Sequence, residues 1–219
     1  EIPLRLVGSE MCIRDRVLGP HAHPEVSLHT HSLADYVVCL NQGDLAGVGA
    51  LMLSSAGKLA RAGADFLICP DNTIHQALGH VLPQSPLPWL HIAEEVALEA
   101  AQRGFCRIGI TGTRWLVDSP VYPDKLAAQG LECVRPPESD RDLLARIIMD
   151  ELVYGDFRPA SVALLQGVVT RLRDAGCDAV VLGCTELPLV LNDGNCALPT
   201  LDSTRILARA ALRRALQGE

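Results

Sequence analysis

From residue 17 onward the chain alternates short apolar runs with longer segments whose apolar positions recur at helical spacing. The short runs are EVSLHT (25 to 30), ADFLIC (64 to 69), LPWLHI (87 to 92), RIGITG (107 to 112), LECVR (131 to 135), DAVVLG (178 to 183) and ALPTLD (197 to 202), each bounded by Gly, Pro or Asp. Apolar runs without alternation predict strands covered on both faces. The segments 44 to 62, 93 to 103, 122 to 129, 139 to 153, 159 to 175 and 203 to 216 predict amphipathic helices. Several close on the glycine that a helix C-terminus favours, as in ARAGAD, AQRGF, AAQGLE and RDAGCD. Strands alternating with helices predict an α/β fold with a mostly parallel sheet.

Two stretches repeat one plan. LARAGADFLICPDNT (59 to 73) and LRDAGCDAVVLGCTE (172 to 186) both run from a helix through Ala-Gly and an Asp into an apolar strand and a Cys-containing turn. The repeat predicts two similar three-layer α/β domains with mostly parallel sheets and an active site in the cleft between them. The first domain is expected from residues 17–92 plus 199–219, the second from 93–198. Ligands of open α/β sheets sit at the carboxyl ends of strands, where both turns fall. Residues 1–16, EIPLRLVGSEMCIRDR, share neither periodicity nor turn chemistry with the rest and read as a non-native, adapter-like segment outside the fold. The other reading is an irregular strand, PLRLVG.

Composition narrows the partners. The chain has 219 residues, 48% hydrophobic and 21% charged, with a net charge of -7 and a pI near 5.5. That balance and the scattered arginines argue against nucleic acid and anionic membrane as partners. No apolar run approaches the roughly 20 residues of a membrane-spanning helix. The eight cysteines form no C-x-x-C pair and no histidine follows one at zinc-finger spacing, so no metal is expected. Reduced thiols and a cytoplasmic location follow from the same pattern.

The chemistry concentrates at two strand ends, CPDNTIH (69 to 75) and GCTELP (183 to 188). With GITGTRWL (109 to 116), VYPDKLAAQG (121 to 130) and PTLDSTRILARAAL (199 to 212), this pair resembles the aspartate/glutamate racemase superfamily over residues 24 to 212. The resemblance implies racemisation of an amino acid or related small carboxylate without a cofactor. One cysteine on each domain would face opposite sides of the substrate Cα. Homodimers, common in that family, are the assembly it implies. The physical logic is that inversion at carbon needs an acid on one face and a base on the other.

Cys184, directly before Thr185 and Glu186, matches the second-domain catalytic cysteine; its other reading is an inert core thiol. Helix N-terminal and backbone N–H groups are expected to depress its pKa from the usual value of about 8.5. On the first-domain side, Asp71 stands directly before Asn72 and Thr73, where the family has its cysteine, and Cys69 lies two residues earlier. Asp71 and Cys69 therefore both stand as catalytic partners of Cys184, and Asp71 reads equally as a helix cap. Asn72, Thr73, Thr113 and Thr185 correspond to substrate-binding positions, and Glu186 of the same motif is placed with them. His75 reads as a site residue or a packed helix residue. His29 and His31 fall near the place of an arginine that binds a distal carboxylate in acidic-substrate members, which leaves the substrate open.

Related functions of the superfamily stand beside racemisation: a hydantoin racemase, maleate isomerase or arylmalonate decarboxylase activity, or a non-catalytic small-molecule binder. Family members usually begin with a strand and a glycine-rich turn lining the site, and no such element precedes residue 20. The expectation is that a native first strand is missing from this chain. Grafting such a strand onto residue 17 should raise the thermal midpoint by several degrees; an unchanged melting curve would refute it.

Overall fold

The computed structural model describes residues 24–217. The expectations for residues 1–16 lie outside them. Two compact units are present. Among the described residues, the first holds 24–69, Ile74–His91 and 207–217, and the second holds Pro70–Thr73 and Ile92–Ile206.

In the first unit, helix α1 (Leu33–Asn41) starts where the Ser32 hydroxyl accepts from Ala34 N–H at 3.3 Å. Helix α2 (Leu45–Arg61) starts where the Asp44 carboxylate accepts from Gly47 N–H at 2.8 Å. Both side chains satisfy N–H groups that the first turn leaves without partners. Val48 and Met52 of α2 pack against Ile74, Ala77 and the short helix α3 (Leu78–Val81), with Cys69 and Trp89 partly buried beside them. The strands expected at 64 to 69 and 87 to 92 meet in one parallel bridge, Leu67 to Trp89. It is held by Leu67 N–H to Pro88 O at 2.8 Å and Leu90 N–H to Leu67 O at 3.0 Å. The strand expected at 25 to 30 is irregular backbone, and α1 was not anticipated. Val26 and Leu28 are half exposed and no described strand runs beside them, so the apolar pattern there has no sheet face to cover.

The second unit carries the sheet. Strands β1 (Arg107–Thr111), β2 (Glu132–Val134), β3 (Ala179–Leu182) and β4 (Thr200–Asp202) are all parallel, in the order β2-β1-β3-β4. Around them pack helices α4 (Ile92–Gln102), α5 (Arg114–Val117), α6 (Val121–Ala128), α7 (Glu138–Asp150), α8 (Pro159–Asp174) and the first residues of α9 (Ser203–Gln217). The α/β class with a parallel sheet is as expected. Residues 199–206, expected with the first domain, lie in the second unit, because β4 pairs with β3 from Val180↔Thr200 to Leu182↔Asp202.

Alternate strand residues feed two separate cores, as side chains on a pleated strand must. Ile108, Ile110, Ala179, Val181 and Leu201 face α4, α5 and α6, where Val96, Leu116, Tyr122 and Leu126 are fully buried. Val180 and Leu182 face α7 and α8 through Leu144, Ile148, Leu165 and Val169. The layers are therefore helix, sheet, helix, and the continuous apolar runs of β1 and β3 reflect burial on both faces.

The chain leaves β1 toward β2 over the first face and returns from β2 to β3 over the second. This reversal puts a topological switch point at the carboxyl ends of β1 and β3, where open α/β sheets bind ligands. The strands come so close there that only glycine fits. A Cβ on Gly183 would lie 2.5 Å from Thr111 O and 2.6 Å from Leu116 Cδ2. Gly183→Ala should therefore cost about 3 kcal/mol, as overpacking against rigid backbone does; equal chemical denaturation midpoints for the variant and the parent chain would contradict this packing.

Candidate functional site

The turns after β1 and β3 lie side by side. Gly183 N–H donates to Thr111 O at 2.9 Å, and a Cβ on Gly112 would meet Gly183 O at 3.0 Å. Gly112 and Gly183 bring the two turns together, and Thr113 follows one strand end and Cys184 the next. Thr113 also caps α5, its hydroxyl accepting from Leu116 N–H at 3.3 Å.

The segment Pro70–Thr73 belongs to this unit and is anchored by buried polar groups. Asn72, only 2% exposed, accepts from Tyr122 O–H at 2.6 Å and donates through Nδ2 to Ser203 Oγ at 3.0 Å. Ser203 donates in turn to Leu182 O at 2.9 Å, on the last residue of β3. The Thr73 and Thr113 hydroxyls lie 3.0 Å apart. Asp71 accepts from Thr73 N–H at 2.7 Å, so the capping geometry expected of it is present, at the start of the 3-10 turn Thr73–Ala77. A buried chain of satisfied hydrogen bonds fixes a segment more firmly than exposed ones do.

The thiol of Cys184 is half-buried and donates to Glu186 Oε2 at 2.8 Å. Thr185 Oγ–H donates to the same oxygen at 2.8 Å. Burial pushes the thiol pKa well above its ordinary value, and the Glu186 and Asp71 carboxylates push it further. This corrects the expectation of a depressed pKa: two carboxylates and a dry setting outweigh any backbone donor. The resting thiol keeps its proton.

The remaining candidates fall elsewhere. Cys69 packs with the apolar cluster of the first unit. In the register of the two repeated stretches Cys69 matches Leu182, a core residue, while Asp71 matches Cys184. His75 is buried in the first unit with its ring 4.8 Å from that of His91. His29 has its Nδ1 3.0 Å from Ser55 Oγ and its Nε2 2.8 Å from Lys58 Nζ, and its ring meets that of His31 edge-on. Burial and the Lys58 charge lower the His29 pKa. Among the described residues no three His, Cys, Asp or Glu side chains are grouped to hold a metal ion. No described helix is long and apolar enough to cross a membrane. Sequence reasoning passed over Tyr122 and Ser203, both fully buried. Both lie in stretches that were already part of the resemblance, VYPDKLAAQG and PTLDSTRILARAAL.

The α/β unit brings the Cys184 thiol and the Glu186 carboxylate to the switch point, where open α/β sheets place their ligands. The Asp/Glu/Hydantoin racemase family model matches residues 10–211, and the chain belongs to that family. It is 24% identical over 164 residues to the broad specificity amino-acid racemase RacX of Bacillus subtilis, covering 74% of this chain and 69% of that protein. It is 31% identical over 175 residues to a glutamate racemase of Thermus thermophilus, covering 75% of this chain and 60% of that one. A match to an uncharacterized Pectobacterium carotovorum protein, 35% identical over 85 residues, takes in 39% of this chain and 55% of that protein. The chain thus spans between half and about two thirds of the length of these relatives. Among solved structures, a candidate Asp/Glu racemase from Yersinia pestis superposes with a TM-score of 0.89 at 28% identity, covering 99% of this chain and 94% of the other. An aspartate racemase homologue from Pyrococcus horikoshii gives a TM-score of 0.84 at 26% identity, covering 98% and 94%.

The raised pKa has a direct consequence for reactivity, because the thiolate is the nucleophile. At pH 7.5 iodoacetamide should label the exposed Cys106 at least about tenfold faster than Cys184, and Cys184 should catch up only as the pH is taken above 9. Peptide mass spectrometry of timed samples checks this; rapid labelling of Cys184 at neutral pH would contradict it.

Proposed function

We propose that the chain is a racemase of amino acids or their close derivatives, moving a proton at Cα between Cys184 and Asp71 without a bound cofactor. The observation that carries this reading is the anchoring of Pro70–Thr73, which bears Asp71, beside the ends of β1 and β3 through Thr73 to Thr113 and Asn72 to Ser203 to Leu182 O, in the same unit as Cys184. Racemisation needs one group that holds a proton and one that lacks it at the start of a turnover. A thiol that keeps its proton, paired with a carboxylate, can meet that need.

The flanking groups support the same reading. The paired hydroxyls of Thr73 and Thr113 suit donation to a substrate carboxylate, whose charge grows as the Cα proton departs. Asn72 holds its segment in place through Tyr122 and Ser203 rather than standing open to a ligand. The racemase names carried by RacX and the Thermus protein fit a substrate in the amino-acid class. One observation favours a second reading. A thiol that resists ionisation is a proton donor, and protonating the carbanion left by loss of CO2 from a substituted malonate would need only that.

Incubation of L- and D-amino acids with the protein in deuterated water should remove the α-proton signal by NMR. Cys184→Ala and Asp71→Asn should each slow the exchange by about 100-fold or more, the scale of a lost general acid or base. Cys69→Ala should leave it within about threefold. Loss of exchange in Cys69→Ala with Asp71→Asn unaffected would transfer the second role to Cys69. CO2 release from 2-substituted malonates, surviving in Asp71→Asn and without amino-acid exchange, would establish the second reading instead.

A further inference from the structure

We infer that Ser203 is a positioning residue that fixes the segment bearing Asp71 against the strand end bearing Cys184. The inference rests on the racemase reading above. Ser203 is the first residue of α9 and is fully buried. Its hydroxyl is engaged on two sides, accepting from Asn72 Nδ2 at 3.0 Å and donating to Leu182 O at 2.9 Å. Asn72 follows Asp71 directly, and Leu182 precedes Cys184 by two residues. Gly183 between them is pinned by its N–H to Thr111 O at 2.9 Å, with no room for a side chain. One hydroxyl thus joins the two stretches that carry the paired groups.

The polarity of the hydrogen bonds leaves Ser203 a single arrangement. Burial pushes the Tyr122 phenol well above its ordinary range, so it keeps its proton and donates to Asn72 Oδ1 at 2.6 Å. That turns Asn72 Nδ2 toward Ser203, whose own proton goes to Leu182 O. The series Tyr122, Asn72, Ser203, Leu182 O therefore runs in one direction, and burial of all three side chains shields it from competing water. The hydroxyl contact of Thr73 with Thr113 holds the same segment to the end of β1, so Ser203 supplies the link to β3. Proton transfer at carbon is sensitive to placement, and a displacement of about 1 Å can cost about 100-fold in rate. A hydroxyl that sets the separation of the two stretches governs the rate of transfer while leaving substrate affinity to other groups.

Ser203→Ala removes both bonds and leaves the volume almost unchanged. Measured by α-proton exchange in deuterated water, its kcat should fall at least about tenfold with KM within about twofold. In the Asp71→Asn background the same substitution should cost less than about twofold more, because a group whose role is to place Asp71 has nothing left to place. An unchanged kcat, or a loss of equal size in both backgrounds, would overturn the inference. A raised KM with kcat unchanged would overturn it too, making Ser203 part of substrate binding. Tyr122→Phe loosens the same amide without touching Ser203, so it carries the test should Ser203→Ala fail to fold. Its loss must likewise vanish in the Asp71→Asn background, and one that persists there counts against the role. Amide hydrogen exchange reads the link without any substrate. In Ser203→Ala, peptides covering 69 to 75 should exchange about tenfold faster while those of β1 keep their rates; equal rates at 69 to 75 would overturn the link. If the parent chain exchanges no amino acid at all, the racemase reading fails while the amide rates still decide whether Ser203 holds the segment.

Discussion

The pairing of β1 with β3 is the constraint on which the second unit depends. β1 feeds the first core and β3 feeds both, and their carboxyl ends meet where the crossover direction reverses. The approach is close enough that Gly183 leaves no room for a Cβ against Thr111 O. Without that contact Thr113 and Cys184 would not emerge from adjacent positions. The segment holding Asp71 would also lose the Thr73 to Thr113 contact and, with β3 displaced, the bond from Ser203 to Leu182 O. The architecture therefore works by bringing backbone close and letting side chains from three separate stretches converge.

The chemistry collected there is governed by negative charge and burial. Many reactive cysteines are activated by cations or helix N-termini, which favour the thiolate. Cys184 has Glu186 and Asp71 near it and no cation among the groups that shift its pKa. A protein that needed only a nucleophile would be poorly served by this. A protein that hands one proton back and forth needs a thiol that keeps its proton at rest.

Membership of the Asp/Glu/Hydantoin racemase family rests on a match across most of the chain and agrees with the resemblance read from CPDNTIH and GCTELP. The departure from that family's cysteine at Asp71 gains meaning from the repeat itself. Asp71, not Cys69, falls in register with Cys184, and Cys69 takes the core position that Leu182 takes in the other copy. The Asp71 side chain meets the capping reading, since its carboxylate accepts from Thr73 N–H, and its charge is also among those that raise the Cys184 pKa. Capping and catalysis are compatible because a carboxylate has lone pairs enough for both.

The sequence by itself determined the α/β class, the helices α2, α4 and α6 to α9 to within a few residues, and the polar character of the turns at 69 to 75 and 183 to 188. These are local matters of period, glycine stops and strand-end polarity. It misplaced the strand at 25 to 30 and the allegiance of 199 to 206, because a strand exists only with a partner and pairing is a long-range choice. Gly63 and Gly176, at φ 92° and 88°, end their helices as the repeat suggested, since that conformation is open to glycine and strained for other residues. Only the tertiary structure decided the electrostatics of Cys184. A pKa depends on which charges are near and how much water is excluded, and the carboxylate of Asp71 is more than a hundred residues away along the chain. Likewise the roles of Tyr122 and Ser203 are invisible in the sequence, because a hydroxyl acquires its meaning from the buried amide it satisfies.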